Sequence, residues 1–95
     1  MKYVYKITYP NEKIYIGQDR KDLYMTYFGS PCQEYVNKDF SWDEVQNITI
    51  RKEIIFSSDK ISNAELHKEE TKLILKFESN NPKKGYNLKP KWKEG

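Results

Sequence analysis

The sequence is short of the residues from which small proteins usually build disulfides and metal cages. It holds one cysteine, Cys32, so no disulfide can form within the chain. With no CxxC pair and no Cys/His cluster, Cys32 reads as an ordinary packed or half-exposed thiol in an intracellular protein. It holds one histidine, His67, which excludes HExxH and every other two-histidine zinc spacing; His67 itself is read as structural. Of the 17 basic residues only Arg20 and Arg51 are arginines, and the rest are lysines. No apolar run approaches the roughly 20 residues that span a bilayer. The start, MKYVYKITYP, lacks the apolar centre of a signal peptide, so no membrane partner and a cytoplasmic location are expected.

What is present fits one folded domain over residues 1–95. An apolar fraction of 37% is low beside 33% charged residues, but 15% aromatics, including eight tyrosines, argue against disorder. The net charge is +3, and five lysines fall between Lys83 and Lys93. That permits a polyanionic partner, and it is equally compatible with a solvated, flexible basic tail over residues 88–95.

Residues 2–9 and 13–17 are rich in Tyr, Ile and Val, and Pro10-Asn11-Glu12 between them is turn chemistry, so the pattern predicts a β-hairpin. With those three residues as the loop, Ile7 faces Tyr15 and Tyr5 faces Gly17, which puts Tyr5 and Tyr15 on one face as diagonal neighbours. Residues 18–47 hold no clean period and should form one or two short helices. From Ile48 to Phe56, Ile48, Ile50, Ile54 and Phe56 alternate with Thr49, Arg51 and Glu53 as in a half-buried strand, and Lys52 interrupts the apolar face. Ser62 and Glu65 form a capping box that opens a helix from Asn63 to Ser79, stopped by Asn80-Asn81-Pro82. The expected class is α/β (α+β), a three-stranded antiparallel sheet flanked by helices.

Glu70 is the most informative position. It falls on the helix stripe of Leu66, Leu73, Ile74 and Phe77, where an ionised carboxylate costs several kcal/mol unless compensated. A lysine or arginine of the sheet could compensate it, which is the plainer reading, or a divalent cation at the edge of a cleft could do so. A single carboxylate suits magnesium, which keeps most of its waters, better than zinc. Tyr3, Tyr5, Tyr9 and Tyr15 read first as amphipathic packing; a tyrosine with a reference pKa near 10 acts as a base only beside a cation or through a metal-bound water.

The order of these features resembles the GIY-YIG nuclease family. Val4-Tyr5 followed by Tyr15-Ile16-Gly17 is similar to its paired motif, Glu70 precedes Ile74 and Phe77 on the helix, and Gly85-Tyr86-Asn87 resembles its closing asparagine motif. The resemblance runs from Lys2 to about Asn87, and Tyr27-Phe28-Gly29-Ser30-Pro31 is similar to a stretch of phage-type members. It implies the three-stranded sheet with flanking helices and a metal-dependent attack of water on a DNA phosphodiester. Tyr5 and Tyr15 would activate or orient the water, Glu70 would hold Mg2+ or Mn2+, and Asn87 would fix the local geometry. Gly17, Lys21 and Tyr86 would lie against the substrate. Specificity would come from a partner protein or a homodimer.

The chain departs from that pattern in three places. Tyr3 takes the glycine position of the first motif, and Asn11-Glu12 replaces the Asn-Gly of the hairpin tip, where φ > 0 is costlier. The family commonly carries an arginine on the first helix; here that stretch reads Asp22-Leu23-Tyr24-Met25-Thr26. Arg20, Arg51, Lys21 or nothing must replace it, with Arg20 nearest in sequence. Three readings follow: an active endonuclease, an inactive domain that binds nucleic acid through its lysines, or a protein-interaction module in which Glu70 pairs with a lysine.

Overall fold

The alternating N-terminal residues pair as the hairpin pattern requires. In the computed structural model, which describes residues 1–21, 29, 31 and 33–93, strand β1 (Lys2–Thr8) runs antiparallel to β2 (Ile14–Asp19). Ile7 stands opposite Tyr15 and Tyr5 opposite Gly17, the expected register. The loop closes with Tyr9 N–H donating to the Lys13 carbonyl at 2.9 Å and Glu12 N–H to the Tyr9 carbonyl at 2.9 Å. The Asn11 side chain accepts from Lys13 N–H at 3.0 Å, and Glu12 takes φ 71°, the left-handed conformation its position demanded.

Two short helices follow among the described residues, α1 (Gln33–Asp39) and α2 (Trp42–Val45), the second opened by a Ser41/Glu44 capping box. The arginine-less stretch Asp22 to Thr26, Tyr27, Phe28, Ser30 and Cys32 lies outside the described residues. Strand β3 (Arg51–Ser58) completes a sheet of order β2-β1-β3, three antiparallel strands in a mixed α/β fold. It starts at Arg51 rather than Ile48. A bulge also separates the partners of Tyr5 and Val4: Ile54 pairs with Tyr5 and Phe56 with Val4. The extra residue reverses the parity of the strand. Ile54 and Phe56, expected on one apolar face, therefore lie on opposite faces, and Lys52 shares the face of Ile54 and Tyr5.

Helix α3 (Asn63–Phe77) begins at the Ser62/Glu65 capping box and ends two residues before the expected Ser79, because Glu78 turns into the left-handed region (φ 56°, ψ 34°). It packs on one face of the sheet. Leu66 and Ile74 meet Val4 and Ile16 in the core, with Ile14, Ile55, Phe56, Leu73 and Phe77 around them. The opposite face carries Tyr3, Tyr5 and Ile7 of β1 and Tyr15, Gly17 and Asp19 of β2.

The chain after α3 returns along the outer edge of β2, where unpaired backbone groups would otherwise be left. Ile14 and Gly85 form a parallel bridge. The Asn87 amide continues it, accepting from Ile16 N–H and donating to the Ile16 carbonyl, each at 2.8 Å. Within the segment expected as a flexible basic tail, the Pro90 carbonyl accepts from Asn80 Nδ2 at 2.8 Å. No helix among the described residues is long and apolar enough to cross a membrane.

Candidate active site

The two hairpin tyrosines come together as the register dictates. Their ring centroids are 6.4 Å apart with planes inclined at 50°. Tyr5 is fully buried, and its hydroxyl reaches across to Gly17 of β2 and to Gly29. A Cβ at Gly17 would overlap the Tyr5 hydroxyl, so glycine is required there by close approach. Gly29 is constrained twice, by φ 73° and by the hydroxyl of Tyr5 and the ring of Tyr15 against it. Tyr15 remains half-buried, so it is the tyrosine of the pair with access to solvent. Tyr5, expected beside it on the attacking water, is enclosed.

Two ionisable residues share this face. The Lys52 ammonium lies 4.6 Å from the centroid of the Tyr5 ring, a cation–π contact. Burial lowers the Lys52 pKa and the charge of Asp19 opposes that shift. Asp19 is 1% exposed, stands opposite Tyr3 in the sheet, and accepts from Lys21 N–H at 3.0 Å.

Glu70 lies on the other side of β2. Val4 pairs with Gln18, and Gln18 points with Ile16 toward α3. There Gln18 Nε2 donates to Glu70 Oε1 at 3.2 Å, while Gln18 Oε1 accepts from Arg20 Nε at 2.8 Å. His67 Nδ1 is 3.6 Å from the same carboxylate oxygen. No lysine or arginine forms an ion pair with Glu70 among the described residues. Burial raises the Glu70 pKa; the Gln18 bond and the charges of His67 and Arg20 work against that rise.

As a metal site this corner offers one half-buried carboxylate, an imidazole and an amide. No cluster of three His, Cys, Asp or Glu residues suited to a metal occurs among the described residues. The set does not fit an all-protein cage. It does fit a hard cation that keeps most of its waters and binds through one carboxylate, since both contacts of Glu70 fall on Oε1 and neither on Oε2.

The other expected residues fall in different places. Arg20 joins the Glu70 corner and is exposed. Arg51 does not: it pairs with Thr8, four residues along β1 from the Val4–Gln18 pair, or about 13 Å at the rise of a strand, and its guanidinium meets Glu53 at 3.5 Å. Lys21 is exposed just beyond Asp19. Tyr86, expected against the substrate, is fully buried; its hydroxyl donates to Asp39 Oδ2 at 2.7 Å and accepts from Asn11 Nδ2 at 3.0 Å. Burial first, and the Asp39 carboxylate, push that hydroxyl far above its ordinary pKa. Asn87 is 8% exposed and committed to the β2 backbone, so it fixes Ile16 and the residues beside it.

Three residues of these clusters escape a reading by sequence. Gln18 carries no signal of its own. Asp19 is 1% exposed, which a polar residue at the end of a strand does not announce. Lys52 did carry a signal, as a charge interrupting an apolar strand, but the bulge that gives it a face cannot be read from alternation. His67, read as structural, is 65% exposed at its side chain and stands next to Glu70. No family model, curated protein or solved structure matches the chain.

Proposed function

We propose that the chain is a metal-dependent endonuclease that hydrolyses DNA phosphodiesters, with Glu70 as the ligand of Mg2+ or Mn2+. The surroundings of Glu70 carry the reading. A structural glutamate on an apolar helix face needs a cationic partner in direct contact, and the direct neighbours of Glu70 are an amide and an imidazole, with the Arg20 charge reaching it only through Gln18. A divalent cation there would offset the desolvation of Glu70 and supply Lewis acidity at the phosphoryl oxygen. The cytoplasm, where DNA and free magnesium meet, is the location that goes with this chemistry.

Each residue of the corner then has a task. Gln18 holds the Glu70 carboxylate with its N–H and the Arg20 guanidinium with its carbonyl, so charge of both signs is fixed at one end of β2. The remaining donors of Arg20 suit the non-bridging oxygens of a phosphate, and Lys21 can take the next phosphate along. Tyr15 orients the attacking water by hydrogen bonding, while Tyr5 and Gly17 hold its ring. Water adds to phosphorus, the ester P–O bond breaks, and the departing oxygen takes up a proton. Tyr15 and Glu70 lie on opposite faces of the sheet, so a DNA strand would have to pass the Gln18–Arg20 end of β2 to meet residues of both.

The test is nicking of supercoiled plasmid by purified protein in Mg2+ or Mn2+. The expected result is cleavage that a chelator stops and Glu70→Gln abolishes. Intact plasmid in both metals overturns the proposal, and salt-dependent DNA retention without cleavage would leave the inactive DNA-binding reading.

A further inference from the structure

Lys52 has no part in the chemistry above, yet it holds the cationic position of the tyrosine face. Its Cα pairs with that of Ile7, and its ammonium lies over the next residue on that face, the Tyr5 ring, at 4.6 Å from the centroid. The side chain therefore lies along the sheet toward Asp19 instead of extending away, as an exposed lysine ordinarily does. The ring beneath it is fully buried and Lys52 is only partly so. Across the same ring Tyr15 is also partly exposed, with the two tyrosine centroids 6.4 Å apart. The β3 bulge preserves this arrangement, since it keeps Lys52 and Ile54 on the tyrosine side while Phe56 turns under α3.

We propose that Lys52 contacts a DNA phosphate on the tyrosine face. The competing role is purely internal: Lys52 would be the counter-ion that keeps the buried Asp19 tolerable. The two roles predict different behaviour when both charges are removed together. A counter-ion becomes dispensable once Asp19 is neutral, whereas a phosphate contact does not.

The proposal rests on the nuclease reading for its chemistry, and the experiment separates the two. Wild type, Lys52→Met, Asp19→Asn and the double variant are compared in thermal stability, in plasmid nicking with Mg2+, and in affinity for a 12-base-pair duplex in chelator. Expected for the double variant is stability near wild type, nicking slowed by about 100-fold, and duplex affinity reduced with a salt slope shallower by about one. Recovery of nicking and of duplex affinity in the double variant overturns the proposal, and so does unchanged affinity in a folded Lys52→Met. If wild type itself does not nick, the nuclease reading falls, and the affinity comparison still decides whether Lys52 touches DNA.

Discussion

Glu12 sits at the hairpin tip with φ 71°, a conformation that costs a residue with a Cβ roughly 1–2 kcal/mol relative to the right-handed region. Glycine loses more chain entropy on folding but carries no such penalty, so Glu12→Gly should stabilise the protein by about 0.5–1 kcal/mol in urea denaturation. Gly17 is the opposite case. Its φ is unremarkable, and the Tyr5 hydroxyl occupies the space of a Cβ, so Gly17→Ala should cost about 1–3 kcal/mol by overpacking in the same measurement. The two tyrosines should also part company under substitution: Tyr15→Phe is expected to slow nicking more than Tyr5→Phe, because only Tyr15 is open to solvent. The pairing of these residues was legible in the spacing of Tyr5, Tyr15 and Gly17 around a three-residue loop. Which tyrosine is enclosed was not, since contacts distant in sequence, such as Lys52 and Gly29 against Tyr5, bear on it.

At the scale of elements, the C-terminal segment is held to β2 by the Ile14–Gly85 bridge and by one side chain, Asn87, that satisfies two backbone groups. Asn87→Ala would leave Ile16 N–H and C=O buried without those bonds, at a cost of about 2–4 kcal/mol. Amide exchange at Ile16 should accelerate accordingly, ahead of exchange in the β1–β3 pairing. A second clasp joins the hairpin tip to α1: Lys13 Nζ meets Asp39 Oδ2 at 2.6 Å, and the Tyr86 hydroxyl donates to the same oxygen. The Lys13 bond, then the Tyr86 bond, lower the Asp39 pKa. A carboxylate depressed in the folded state contributes stability above its unfolded pKa near 3.9 and loses it as pH falls through the folded value. Urea midpoints followed below about pH 4 should therefore fall more steeply for wild type than for Asp39→Asn. The capped helix and the hairpin were legible because local chemistry fixes both, as Ser62 and Glu65 do for α3; Ser41 and Glu44 carried the same signal for α2. The start of β3 and its bulge were not legible, because pairing with β1 decides them and alternation through Ile48 and Ile50 pointed elsewhere.

Across the whole molecule, the candidate residues divide between the two faces of the sheet, Tyr15, Lys52 and Asp19 on one and Glu70, Gln18, His67 and Arg20 on the other. The sequence pattern could name Glu70 as out of place on an apolar stripe and His67 as its neighbour one turn before, but its partner Gln18 comes from β2 and was out of reach of any helix argument. Burial raises the Glu70 pKa, so the ionised form lowers stability as pH rises past the unfolded carboxylate value toward the folded one. Glu70→Gln should accordingly be no less stable than wild type at pH 7, and on the proposed reading it should bind no metal there, the usual opposition of stability and function at a site. Titration of chelator-treated, isotope-labelled protein with Mn2+, followed by amide line broadening, tests the metal site most directly. The expected result is broadening that begins at Gln18, His67 and Glu70 and disappears in Glu70→Gln. Broadening that is uniform over the surface, or that persists unchanged in Glu70→Gln, would contradict a metal held by Glu70.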